Sequence, residues 1–146
     1  MSVENQSKFD LLKNAFENQM PANKYLELKI IELRDGFTKI HIPFKEEFIG
    51  DYIQKRWHGG IQASIADSAG GIVALTAVND IREKVSTIDI RVDYLNGTEP
   101  KDLFAEAEII KNGSRIIKVD VKLYHQKEKI IAIARCAFSI LRIKIN

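Results

Sequence analysis

Between Ile61 and Asn79 runs a nineteen-residue stretch with one charge, Asp67, near its middle. The rest is mainly Ala, Ile, Val, Leu, Gly and small polar residues, and His58-Gly59-Gly60 leads into it. The spacing predicts one long helix ending at about Asn79. A helix apolar on nearly every side has to be surrounded by protein. Its length approaches that of a membrane span, but a carboxylate near the centre, with Gln62, Ser64, Ser68, Gly70 and Gly71, argues against a lipid-facing segment. Whatever else this chain forms must therefore wrap this helix.

The remaining segments supply the wrapping. Tyr25 to Arg34 and Phe37 to Phe44 read as strands joined at Asp35-Gly36, a dipeptide suited to a tight hairpin. Lys45 to Trp57 reads as a charged, irregular connection. From Val85 to Leu95 the pattern turns to period two: Ile88, Ile90, Val92 and Tyr94 share one face, and Thr87, Asp89, Arg91 and Asp93 the other. Strands follow at Leu103–Lys111, Ile116–Gln126 and Ile130–Ile140, with turns at Asn112-Gly113 and Gln126–Lys129. Phe9, Leu12 and Phe16 mark an N-terminal helix over about 6–20, limited by Pro21. Segregated strands around one helix imply an α+β class, an antiparallel sheet wrapped round a central helix in the hotdog manner. A single domain over 1–146, with its core over about 25–141, is expected.

Composition narrows the function classes. With 22 basic against 20 acidic residues and a formal net charge of +2, nothing points to nucleic acid or an anionic membrane as partner. The opening MSVENQSKFD has no apolar run of the signal-peptide kind, and Cys136 is the sole cysteine, so a soluble cytoplasmic protein without disulfides is expected. His41, His58 and His125 are scattered without metal-ligand spacing, and no Gly-x-Ser-x-Gly elbow occurs. No metal, no cofactor and no serine triad are expected.

The chemistry concentrates at the helix start. Two glycines there let the backbone approach a ligand, and the first helical amides lack intrahelical acceptors. Such amides can hold a carbonyl oxygen as it gains negative charge. Gly60 is the first choice of donor and Gly59 the second. Asp67, on an apolar helix, is the candidate base or nucleophile, since desolvation favours its neutral form and so raises basicity. Gly60 and Asp67 lie on nearly one helix face but ~10 Å apart along the axis, too far to act on one carbonyl within one chain. A two-fold partner could bring Gly60 of one chain to Asp67 of the other.

His-Gly-Gly, six intervening residues and Asp67 followed by Ser68-Ala69-Gly70-Gly71 resembles the signature of the phenylacetate-pathway (PaaI-like) acyl-CoA thioesterases. Ser86-Thr87-Ile88-Asp89-Ile90-Arg91-Val92-Asp93-Tyr94-Leu95 is similar to the strand that follows the helix in that family, and the likeness covers roughly 25–141. The resemblance implies hydrolysis of acyl-CoA by a homodimer, often paired into a tetramer, without metal. It gives Asp67 the water-activating or nucleophilic role and Gly60 the oxyanion amide. Thr87 falls where some members orient water with a hydroxyl, Ser86 beside it. His58 and Gly59 would border the substrate. Where many members carry an Asn ahead of the motif, this chain has Asp51 and Tyr52. Asp51 can accept a hydrogen bond from water but would repel an oxyanion. Two other readings stay open: a hotdog hydratase or dehydratase, and a non-catalytic acyl-CoA-binding module.

Overall fold

The computed structural model describes residues 2–80 and 82–144; Met1, Ile81, Ile145 and Asn146, part of the expected 1–146 domain, lie outside the described residues. The chain opens with α1 (Val3–Asn14), a widened π turn (Ala15–Gln19) and α2 (Pro21–Leu26). Ser2 caps α1 by accepting the Asn5 amide at 3.3 Å. Pro21 begins α2 rather than only ending what precedes it, because the N–H that proline lacks would have no intrahelical acceptor at a first helical position. Glu27, left-handed at φ 53°, stops α2. The first strand therefore starts later than the apolar spacing suggests.

Strands β1 (Lys29–Arg34) and β2 (Phe37–Ile42) turn at Gly36, whose φ of 74° favours glycine. The connection that reads as irregular carries a 3-10 turn (Glu46–Phe48) and a small hairpin, β3 (Ile49–Asp51) with β4 (Arg56–Trp57). Helix α3 (Gly59–Leu75) follows, then β5 (Lys84–Tyr94), β6 (Leu103–Asn112), β7 (Ile116–Tyr124) and β8 (Ile130–Leu141). Six strands form one antiparallel sheet in the order β1-β2-β6-β7-β8-β5, curved round α3.

Ile65, Ala66, Ala69, Ile72 and Val73 of α3 are fully buried against that sheet. Gly70 allows the close fit: a Cβ there would stand 3.0 Å from the Phe138 ring of β8. The opposite stripe is not wrapped. Gly60 and Ser64 are exposed and Asp67, Ser68, Gly71 and Leu75 half-buried, with α1 and α2 only partly covering them. The helix also ends four residues before Asn79. Its last turn tightens, with amides of Thr76, Ala77 and Val78 bonding three residues back. Lys8 Nζ, from α1, donates to the Thr76 and Val78 carbonyls at 2.7 Å each. Among the described residues no helix is long and apolar enough to cross a membrane.

Candidate active site

The half-open stripe of α3 carries the chemistry. Asp67 lies on it, and the Thr87 hydroxyl of β5 donates to Asp67 Oδ1 at 2.8 Å. Strict alternation would place Thr87 on the face away from Ile90 and Val92. A β-bulge removes the conflict: the β5–β8 register passes from Thr87↔Phe138 to Asp89↔Ala137, leaving Ile88 unpaired. Val85 and Thr87 before it, and Ile90 and Val92 after it, thus all turn toward the helix. Ile88 itself is 55% exposed. Ser86, between two inward residues, points to the other face opposite Ser139 and away from Asp67.

Asp67 stands at a hollow of about 250 Å³ walled by apolar side chains that include Phe16, Met20, Leu75, Val85 and Phe138. Two of these come from the N-terminal helical segment, whose part in the site has no local signal in the sequence. Ser68 donates to Asn23 Oδ1 at 3.0 Å, holding α2 against α3 beside the carboxylate. Behind the helix, burial pushes the Cys136 thiol up to about 12, and the charge of Asp67 adds to the shift. Cys136 is a neutral packing group.

At the start of α3 the peptide between Gly59 and Gly60 is held at both ends. His58 Nδ1 accepts the Gly60 amide at 2.9 Å, and the Tyr94 hydroxyl donates to the Gly59 carbonyl at 2.6 Å. His58 therefore carries its ring proton on Nε2 when neutral. Both side chains fold over the glycines: a Cβ on Gly60 would meet the His58 ring at 2.9 Å, and one on Gly59 the Tyr94 oxygen at 3.3 Å. The Gly60 amide, the first choice from sequence, is thus engaged. Among the described residues the Gly59 amide has no acceptor. Asp51 turns inward on its own hairpin, Oδ1 accepting the Ile53 and Gln54 amides at 3.0 and 3.1 Å. Gly50 lets that hairpin lie on the motif, since a Cβ there would stand 2.7 Å from the His58 Cα. The other histidines are tied elsewhere, His41 to Asp102 at 2.9 Å and His125 Nε2 to the Glu99 amide at 2.8 Å.

Residues 54–132, which run from the β3–β4 turn through α3, β5, β6 and β7 to the start of β8, match the thioesterase superfamily profile. The chain belongs to the thioesterase superfamily. A candidate esterase of Saccharolobus solfataricus is 34% identical to this thioesterase-superfamily chain over 125 residues, covering 84% of it and 85% of the relative. The medium/long-chain acyl-CoA thioesterase YigI of Escherichia coli is 25% identical over 142 residues, 89% of this chain and 92% of the relative. Among solved structures, a Shewanella oneidensis protein related to the thioesterase superfamily superposes with a TM-score of 0.84 at 24% identity, covering 95% of this chain and 99% of that one. A Silicibacter pomeroyi thioesterase-family protein gives 0.81 at 20% identity, over 91% and 98%. The α+β sheet wrapped round α3 is the hotdog fold of these thioesterases.

Proposed function

We propose that this chain hydrolyses acyl-CoA thioesters to free acid and CoA, in the manner of the phenylacetate-pathway branch of the superfamily, at a site shared by two protomers. The observation that carries the reading is Asp67, half-buried at the mouth of an apolar hollow with one carboxylate oxygen held by Thr87. Its Oδ2 has no partner among the described residues and is free to face water. In the proposed step water adds to the thioester carbonyl and its proton passes to Asp67 Oδ2. The charge gathered on the carbonyl oxygen is held by the Gly59 amide. Collapse breaks the C–S bond, and the proton leaves with the CoA thiol.

A distance and an edge support sharing. Gly59 and Asp67 are eight residues apart, ~12 Å along the axis at 1.5 Å per residue, so one chain does not bring both to one carbonyl. Strand β5 is an eleven-residue edge strand with one side unpaired, and Ile88, Tyr94 and Leu95 on or beside it are about half exposed. Such an edge invites pairing with another strand. Antiparallel pairing of two β5 strands about a two-fold axis sets two α3 helices side by side, running oppositely. Gly59 of one protomer then faces Asp67 of the other.

Thiol release from a panel of acyl-CoAs (acetyl, octanoyl, palmitoyl, phenylacetyl, benzoyl) by wild type and Asp67→Asn tests the reaction. Turnover that falls by about 10²-fold or more in the variant is expected from loss of a general base. Tight binding of the esters with no thiol release by wild type would overturn hydrolysis. In labelled water, a single turnover should put the isotope in the acid and none in the protein.

A further inference from the structure

Leu75 is a wall of the hollow at Asp67 and equally a wall of a second hollow of about 450 Å³ beneath α1, among Leu11, Leu12, Ala15 and Val78. Asp67, Gly71 and Leu75 recur at four-residue intervals, so they lie along one side of α3, with the carboxylate and Leu75 ~12 Å apart along the axis. The first hollow exceeds the ~150 Å³ that encloses a benzene-sized group. What it offers beyond the carboxylate is mainly hydrocarbon, because Asn23 and Ser68 bond each other and the Thr87 hydroxyl bonds Asp67.

The charged groups at the rim of the second hollow are likewise occupied. Lys8 is held by the Thr76 and Val78 carbonyls, Asp80 by Arg82, and Glu83 by the Asn79 amide with Arg142 at 3.8 Å. A polar or charged acyl terminus would have to compete with these bonds and would lose its hydration. A straight hydrocarbon chain loses nothing and gains with each methylene buried.

Resting on the thioester reading above, we propose that the acyl tail of the substrate runs along α3 under the N-terminal helical segment, and that Leu75 sets the chain length taken. With Leu75 in place the tail ends in the first hollow; its removal joins the two.

The test is calorimetric affinity for non-hydrolysable thioether analogues of acyl-CoA, from acetyl to palmitoyl, on wild type, Leu75→Ala, Leu75→Trp and Gly71→Ala. Leu75→Ala should move the tightest-binding length up by about two to four carbons, because each methylene newly buried adds affinity. Leu75→Trp should weaken octanoyl relative to acetyl by about tenfold, the cost of excluding one or two methylenes. Gly71→Ala guards against failure to fold: its new Cβ would meet nothing nearer than the Phe138 ring at 3.9 Å, and alanine favours the helix. Its methyl narrows the first hollow, so octanoyl should again weaken relative to acetyl. Affinities that change in parallel at every length, or not at all, overturn the proposal. If the length ladder responds while wild type releases no thiol from natural esters, hydrolysis fails and the chamber stands. If thiol is released but the ladder is unmoved, only the chamber fails.

Discussion

The two ends of α3 are built on opposite plans. At its start, polar groups are satisfied largely from nearby: the His58 ring, two residues away, takes the Gly60 amide, while Tyr94 reaches in to the Gly59 carbonyl and the His58 amide donates to the Phe48 carbonyl. At its end, the partners arrive from all over the chain. Lys8 of α1 takes the Thr76 and Val78 carbonyls, Arg142 donates to the Ala77 carbonyl, and the Thr76 hydroxyl accepts the Gly36 amide at 3.0 Å. One end leaves an amide free for chemistry; the other leaves little unpaired and anchors the helix. On the proposed mechanism, a single helix divides its termini between turnover and stability.

Substitutions should separate the two roles, and the largest effect belongs to the start. Gly59→Pro deletes the free amide at the first helical position, where proline is tolerated. Turnover should fall about 10²- to 10³-fold, the usual loss of one oxyanion donor, with a small drop in Tm because the new Cβ presses on the Tyr94 oxygen at 3.3 Å. Next comes Lys8→Met, which strips two carbonyls of their donor: a loss of about 1–3 kcal/mol in stability is expected by chemical denaturation, with kcat retained. Burial holds the Lys8 amine below its ordinary value of 10.5, outweighing the pull of Asp35 and Glu83. Between the folded value and 10.5 the unfolded chain binds more protons, so the stability linked to Lys8 rises with pH. The Tm gap between wild type and Lys8→Met should therefore widen as pH climbs toward that value. The smallest effect is Tyr94→Phe, which keeps the ring and frees the Gly59 carbonyl: about 3- to 10-fold in kcat, the worth of one hydrogen bond, with KM nearly unchanged. A loss confined to KM would break the assignment of Tyr94 as a positioning residue.

The same contrast marks what the sequence makes legible. Asp67, the glycines and the hydrophobic periods are local, so the helix, the long strands and their wrapping can be read from residue order. Contacts between distant segments cannot. Nothing in the sequence announces that Lys8 caps α3 sixty-eight residues away, and the helix consequently reads four residues too long. Nor does period two reveal the bulge at Ile88, which turns Thr87 toward Asp67. The choice between Gly59 and Gly60 depends on a ring torsion of His58, and the walls given by Phe16 and Met20 depend on how the π turn folds back.

The central claim is that the Gly59 amide and Asp67 of different protomers complete one site. Two inactive variants, Gly59→Pro and Asp67→Asn, can be unfolded together in equal amounts and refolded. Each mixed dimer would then hold one doubly damaged site and one intact site. With half the dimers mixed, thiol release should return to about a quarter of the wild-type rate, while either variant refolded alone stays inactive. No recovery in a preparation whose mixed dimers are verified by mass would contradict a shared site and return the chemistry to a single chain.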